Sequence, residues 1–555
     1  MLALLAAVPV LSVASSVLAR GTGEVWAHLL DTVLAEYVVN TVFLLVAVSI
    51  GVTALGVGAA WVVTMLEFPG RRTFEWMLVL PLAMPAYVMA YAYTDLLQFT
   101  GPVQTLLRES FGWTRRDYWF PEVRSLGGAA TMFIFVLYPY VYLLARTAFI
   151  ERSGNVVEVS RSLGYGPWAS FFRLSLPLAR PVIAGGVALT AMETLADYGT
   201  VSYFSVPTFT TGIYRAWLSL GDRLAAEQLA CALLAFVLIV LGVERTSRGR
   251  ASYATVGARG GSIVALRLRG PFAVLAVVAC LIPIAIGFFV PGVTLVHLAL
   301  EVRGEQAFAR YLQLTLNSFT LAGITAAAAV SIATVLAYAL RLHRSAFTIT
   351  ATRAVGLGYA VPGAVIAVGI LVPLATFDNW IDAVMRERFN VTTGLILTGT
   401  VLALIYAYLV RFLAIAQETL DAGLGKITRS MDDAARSLGL GPGATLWHVH
   451  RPLMWTSVLT AALLVFVDVM KELPATLVIR PFNFDTLATQ AYTYAADERL
   501  GEAAVASLVI VAVGVLPVVL LTRTLRTRRG NPGDALIVPG IDATRRPGLS
   551  RAADG

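Results

Sequence analysis

Two stretches of the chain, NTVFLLVAVSIGVTALGVGAAWVV at residues 40–63 and TLAGITAAAAVSIATVLAYAL at 320–340, run without a single charged side chain. Each reaches the ~20 apolar residues that a helix needs to cross roughly 30 Å of hydrocarbon. A segment in lipid has no water to satisfy its backbone N–H and C=O groups, so these runs must be helices rather than open strands. Apolar runs of this kind recur near residues 3–19, 39–66, 74–99, 127–148, 181–199 and 228–243, then near 271–297, 314–341, 354–376, 393–416, 456–475 and 502–523. The fold class is therefore an all-α integral membrane protein of about twelve transmembrane helices.

Composition agrees: 57% of residues are hydrophobic, 14% are charged and the mean hydropathy is +0.75, values no soluble globular domain sustains. The net charge of +8 does not imply nucleic acid, because the arginines fall in short loops between apolar runs, as the positive-inside pattern requires. Arg71, Arg72, Arg152, Arg161, Arg173, Arg180, Arg245, Arg248, Arg523 and Arg526 share one side, which the rule makes cytoplasmic. Arg108, Arg115, Arg116 and Arg124 lie opposite, accompanied by Glu109, Asp117 and Glu122. Cys231 and Cys280 sit inside apolar runs and suit neither a disulfide framework nor a metal site. Residues 1–20 lack the basic start of a signal peptide and read as a first span.

The chain is also an internal duplication. EVSRSLGYGP from Glu158 returns as DAARSLGLGP from Asp433, 275 residues later, and Glu193 and Asp197 fall on Asp468 and Glu472 at the same offset. Upstream, Asn40 matches Asn317 and Pro85 matches Pro362 at an offset of 277, a drift that a change in loop length produces. An even number of spans per half makes the repeats parallel. The expected divisions are a first half at 1–245 with a repeated loop near 151–180, a cytoplasmic linker at 246–270, a second half at 271–525 with its loop near 425–455, and a disordered tail at 526–555.

Both repeated loops lie on the cytoplasmic side, between the fourth and fifth span of each half. Short helices are expected at 157–163 and 432–438, ended by Gly164 and Gly439, where positive φ is easily reached, and not continued past Pro167 and Pro442. Ordinary linkers have no reason to keep the same side chains twice.

The spacing of Glu158, Val159, Ser160, Gly164, Leu174, Leu176 and Pro177 resembles the EAA loop of permease subunits in binding-protein-dependent ABC importers. The second copy has Asp433, Ala434, Ala435, Gly439, Val449 and Pro452, with Arg451 where the pattern has Leu. The resemblance implies that each loop is a coupling helix docking on a cytoplasmic ATP-binding subunit, two copies in all, through Glu158, Ser160, Leu163, Gly164 and Pro177 in one half and Asp433, Ala434, Ala435, Leu438, Gly439 and Pro452 in the other. Residues 192–230 and 470–504 resemble the fused two-half ferric iron permeases of this superfamily, thiamine permeases sharing the layout. That likeness implies a type I importer fold, an iron-binding protein outside, an alternating-access cycle, and no catalytic residue or bound cofactor in this chain, ATP being held by the partner subunits.

Glu193 and Asp197 lie one helical turn apart, as do Asp468 and Glu472, so each pair projects from one face. Ionised carboxylates facing lipid cost several kcal/mol, so they should face the bundle interior or a wet cavity. All four are candidate translocation-path residues, where oxygen ligands suit a hard cation such as iron(III); bracing of neighbouring helices is the competing role, Lys471 being placed to pair with Asp468 three residues back while the first half shows no such partner. Tyr87, Tyr91, Tyr93, Tyr138, Tyr140 and Tyr142 offer further oxygens, which packing explains equally well. His448 and His450 lie two apart with no cysteine or carboxylate cluster, a poor metal pair. LGKIT at 424–428 lacks the earlier glycine and the Ser/Thr of a phosphate loop, so ATP hydrolysis falls to another subunit. Within the importer class thiamine or another organic cation is the alternative cargo, and a secondary transporter built from parallel six-helix repeats is the alternative of a different class.

Overall fold

The protein is described by a computed structural model that covers residues 2–17, 23–162, 167–248, 266–302 and 305–527. In the first half the main helices are α1 (Leu2–Ser16), α2 (Leu34–Met65), α3 (Ala86–Leu97), α4 (Leu126–Ser162), α5 (Leu176–Ala196), α6 (Gly199–Tyr203), α7 (Phe209–Tyr214) and α8 (Arg223–Arg248). The second half holds α9 (Pro271–Leu300), α10 (Glu305–Leu342), α11 (Gly363–Phe389), α12 (Val401–Leu424), α13 (Arg429–Ser437), α14 (Arg451–Met470), α15 (Pro474–Ile479), α16 (Leu487–Ala496) and α17 (Leu500–Thr527). Among the described residues ten helices are long and apolar enough to cross a membrane, and a bent pair, Arg71–Ala83 with Ala86–Phe111, makes an eleventh span broken by 91°. The apolar helix α1 is about 22 Å long at 1.5 Å per residue, short of the roughly 30 Å of hydrocarbon.

The expected spans at 74–99 and 354–376 are both interrupted, and in the same way. A 3₁₀ turn, Leu80–Ala83 or Leu357–Ala360, leads to an extended residue, Met84 or Val361, and then to Pro85 or Pro362 as the N-cap of α3 or α11. The residue before a proline is pushed out of the helical region, so the break follows from the proline that the repeat shares.

The duplication is visible in side-chain detail. Asn40 on α2 donates to the Pro207 carbonyl at 2.9 Å, and Asn317 on α10 donates to the Asp485 carbonyl at 3.1 Å. Each tethered loop is followed by a threonine-built capping box: the Thr208 N–H donates to Thr211 Oγ1 at 2.8 Å, the Thr486 N–H to Thr489 Oγ1 at 3.0 Å. One π turn precedes α5 at Phe171–Ser175 and another precedes α14 at Leu446–His450. Pro177 and Pro452 supply no N–H to the carbonyl four residues back, and the chain answers with the wider five-residue bond, from the Leu176 N–H to the Phe171 carbonyl and from the Arg451 N–H to the Leu446 carbonyl. Arg451 thus leaves the second loop with the same exit geometry as the first, its guanidinium lying over Trp447, 4.0 Å from the ring centre.

Within each half the core is a three-helix contact, α2 with α4 and α5, and α10 with α12 and α14. The first helix of each half reaches across. Helix α1 packs on α11 of the second half, Gly369 leaving room for the Pro9 carbonyl, and Tyr406 on α12 donates to the Leu5 carbonyl at 2.5 Å. Helix α9 packs on α2 and α3 of the first half, where Tyr93 donates to the Ile286 carbonyl at 2.8 Å. Leu66–Glu67, just after α2, pairs in parallel with Leu266–Arg267, just before α9. The tail beyond residue 527 and linker residues 249–265 lie outside the described residues.

Candidate translocation cavity and coupling segments

All four acidic residues singled out in the sequence line one cavity of about 110 Å³ between the two halves. The walls pair off by the repeat: Leu82 with Tyr359, Val136 with Arg411, Leu137 with Phe412, Glu193 with Asp468, Asp197 with Glu472, and Gly199 with Pro474. Carboxylates therefore enter from equivalent turns of α5 and α14, while the cations Arg411 and Lys471 come from the second half alone.

Asp197 and Glu472 have a local task. The Asp197 carboxylate accepts the Thr200 N–H at 2.9 Å and the Val201 N–H at 3.3 Å; the Glu472 carboxylate accepts the Ala475 N–H at 3.1 Å and the Thr476 N–H at 3.3 Å. Each holds the open N-terminus of the short helix that follows, α6 or α15, after α5 or α14 has broken off. Glu472 also receives Arg411 Nη1 at 3.0 Å, both side chains being almost wholly buried. Glu193 and Asp468 are not used in this way. Glu193 accepts the Tyr359 hydroxyl at 2.7 Å across the junction, and Asp468 takes Lys471 Nζ at 2.7 Å. The Tyr87 hydroxyl, 5% exposed as a residue, lines the same cavity and has no hydrogen-bond partner among the described residues.

No group of three or more His, Cys, Asp or Glu is arranged to hold a metal ion among the described residues. Of the other tyrosines, Tyr140 lines the cavity, whereas Tyr93 and Tyr142 donate to the Ile286 and Glu75 carbonyls and Tyr91 and Tyr138 are packed in the core. His450 Nε2 contacts Asp432 at 2.6 Å and His448 Nδ1 contacts the Ala444 carbonyl at 2.9 Å, so the two rings serve different partners.

The coupling segments differ. In the second half, α13 begins at Arg429, three residues before the expected start, and is followed by Leu438 as its C-cap. Gly439 takes φ of 81°, its N–H donating to the Arg436 carbonyl at 2.9 Å while the Leu440 N–H reaches the Ala435 carbonyl at 3.0 Å, a Schellman close. Pro442 then opens the next short turn at a position that favours proline. Ala435 is buried; Asp433, Ala434, Leu438 and Pro452 are exposed, Leu438 to 81%. The segment is clamped from beneath by Arg341, which donates to Asp432 Oδ2 at 2.7 Å and to the Leu424 and Ile427 carbonyls at 2.8 and 3.0 Å. In the first half the described residues 157–162, with Glu158 and Ser160, form no separate helix but continue α4. Gly154 costs a helix roughly 1 kcal/mol, too little to end it, whereas the turn at 425–428 splits α12 from α13. Leu163 and Gly164 lie outside the described residues, and Pro177 sits exposed in the first turn of α5. The position of Arg341 is Thr64 in the first half, where Trp61 packs on Phe171 and Phe149 with ring centres 4.5 and 5.7 Å apart.

Residues 52–244 and again 330–530 match the family described as binding-protein-dependent transport system inner membrane component. The chain belongs to that family. It is 27% identical over 498 residues to the Fe(3+)-transport system permease protein FbpB 2 of Haemophilus influenzae, covering 88% of this chain and 90% of the relative. It is 24% identical to the ferric transport system permease protein FbpB of Actinobacillus pleuropneumoniae, over 82% of this chain and 65% of the relative. The molybdenum transport system permease protein ModB of Escherichia coli matches a shorter stretch, at 29% identity over 35% of this chain and 87% of the relative. An inner membrane component of such a system is a multi-pass bacterial permease that acts with a binding protein and an ATP-binding protein.

Two residues of this permease's cavity escaped the sequence reading. Arg411 sits in the middle of an apolar span, and an ionisable residue there is itself a signal. Tyr359 carried none, since its partner Glu193 is 166 residues away.

Proposed function

We propose that this chain is the membrane pathway of an ATP-driven, binding-protein-dependent importer that carries ferric iron inward by alternating access. The observation that carries the reading is the placement of Glu193 and Asp468, from equivalent turns of the two halves, on one cavity at their junction. The names of the full-length relatives support the cargo. The chemistry agrees: four carboxylates against Arg411 and Lys471 give the lining a formal charge of −2, which favours a hard cation over the sulfate named for a half-length relative.

Two copies of an ATP-binding subunit dock on the coupling segments, one on α13 and one on the end of α4, and an iron-binding protein docks outside. ATP-driven approach of those subunits moves the segments, and each movement passes through the π turn at the base of α5 or α14 to the helix bearing the acidic pair. The permease itself contributes no catalytic residue and no cofactor.

The test is uptake of radiolabelled iron(III) into proteoliposomes holding this chain with its ATP-binding and iron-binding partners, with and without ATP and against excess thiamine. Uptake that requires ATP and ignores thiamine is expected. Iron entry without the ATP-binding subunit overturns the coupling reading; ATP hydrolysis without iron entry overturns the cargo.

A further inference from the structure

We propose that Lys471 is a tethered counter-cation that holds Asp468 between transport events and is exchanged for the cargo ion, so that it sets the charge a cargo needs to enter. This rests on the reading of the cavity as a cation path, and it adds a specificity-determining residue that belongs to this chain's second half only.

Lys471 interrupts the symmetry of the cavity. Its counterpart in the first half is Ala196, although the carboxylates on either side are matched, Glu193 with Asp468 and Asp197 with Glu472. Lys471 is the C-cap of α14, where an ammonium group is favoured by the helix dipole wherever it points. Here it turns back to Asp468, 2.7 Å away, on the wall of the cavity, and its side chain keeps 29% of its exposure. The other cation cannot play this part. Arg411 is fixed on Glu472 at 3.0 Å with 9% of its side chain exposed, and Glu472 is committed to the α15 N-terminus. A guanidinium is a rigid fork, whereas an ammonium group is a point charge on a flexible stem that can swing away without disturbing the backbone.

The cavity also holds groups that this lysine does not satisfy. The buried Tyr87 hydroxyl lacks a hydrogen-bond partner among the described residues, and Glu193 is met by a tyrosine hydroxyl rather than by a cation. The lining is thus ready for one more positive group than the protein provides. A tethered ammonium competes at high effective concentration. A monovalent ion, or a weakly held divalent one, gains too little from Asp468 to displace it. A hard trivalent ion gains from Asp468 and Glu193 together. Exchange leaves Lys471 free to swing towards solvent and to return once the ion has passed.

Terbium(III), a hard trivalent ion whose emission rises on binding near tyrosine, is the probe, titrated into the purified full-length permease. Lys471→Gln is expected to tighten terbium binding at least about tenfold and to let calcium compete. Lys471→Arg, which sets a rigid fork on Asp468, should bind terbium more weakly than the parent protein, and adding Asp468→Asn to Lys471→Gln should abolish the gain. Unchanged terbium affinity in Lys471→Gln overturns the proposal, as does a gain that survives Asp468→Asn. Should Lys471→Gln fail to fold, Asp468→Asn decides: it is expected to weaken terbium binding below that of the parent protein and to leave Lys471→Arg without further effect, and unaltered binding overturns the exchange. Iron uptake by the assembled system with no terbium difference removes the tethered cation alone; the terbium differences without iron uptake remove the cargo assignment alone.

Discussion

Glu193 and Asp197 of the first half and Asp468 and Glu472 of the second occupy equivalent turns, and the later member of each pair caps an equivalent short helix, yet their surroundings differ. The second pair is met by Lys471 and Arg411, the first by the Tyr359 hydroxyl and by backbone and threonine donors. Where the repeat preserves a contact, the contact is with backbone, and where it departs, the change is in charge. Duplication has fixed the frame and left the electrostatics of the two walls free to diverge.

The largest effect is expected where a charge is buried. Arg411→Met should cost about 3–5 kcal/mol, because it strands Glu472 in a site with almost no solvent, and Glu472→Gln added to it should recover most of the loss. Asp197→Asn in the first half strands no charge and should cost about 1–3 kcal/mol through its lost caps. Thermal unfolding of the purified variants ranks them, and equal losses would erase the contrast between the halves.

Transport is the next comparison. Glu193→Gln and Asp468→Asn should each lower iron uptake about tenfold or more with assembly retained, a barrier change of about 1.4 kcal/mol. Undiminished uptake in both variants would remove them from the path, leaving bracing as their role.

The coupling segments give a smaller, pH-dependent contrast. Burial alone would raise the Asp432 carboxyl, but hydrogen bonds and charge from Arg341 and His450 outweigh it and hold the group below its ordinary value. The stability it lends α13 is therefore complete above the ordinary carboxylate range, about pH 4, and is lost as pH falls through the depressed value. Hydrogen exchange in α13 should lose protection only on that acid limb, and Asp432→Asn should remove the limb. The Trp61 contact with Phe149 and Phe171 has no titratable group and should show no such limb. Smallest of all, His448→Ala, at an exposed ring bonded only to its own turn, should change unfolding by less than about 0.5 kcal/mol.

What was legible in the sequence was whatever depends on neighbours along the chain. Span positions follow from hydropathy, the repeat from a constant offset, the Gly439 turn from a single residue type, and the Lys471–Asp468 pair from a three-residue spacing. Long-range partners were not legible. Arg411 and Glu472 are 61 residues apart, Glu193 and Tyr359 are 166 apart, and nothing in either local pattern names the other. The prolines at 85 and 362 were matched as a repeat, but the turn they impose depends on the 3₁₀ segments before them, which apolar composition conceals.

The reach of α1 across to α11 has a consequence for how the protein is made. Helix α1 leaves the ribosome before its seat is made: Gly369 follows Pro9 by 360 residues and Tyr406 follows Leu5 by 401. Assembly in the membrane must therefore close backwards, with α1 waiting until α11 and α12 have been made. A truncation anywhere before α11 would leave α1 without its principal neighbour and open to quality control, so that an unfinished chain is marked for removal by a helix made long before the break.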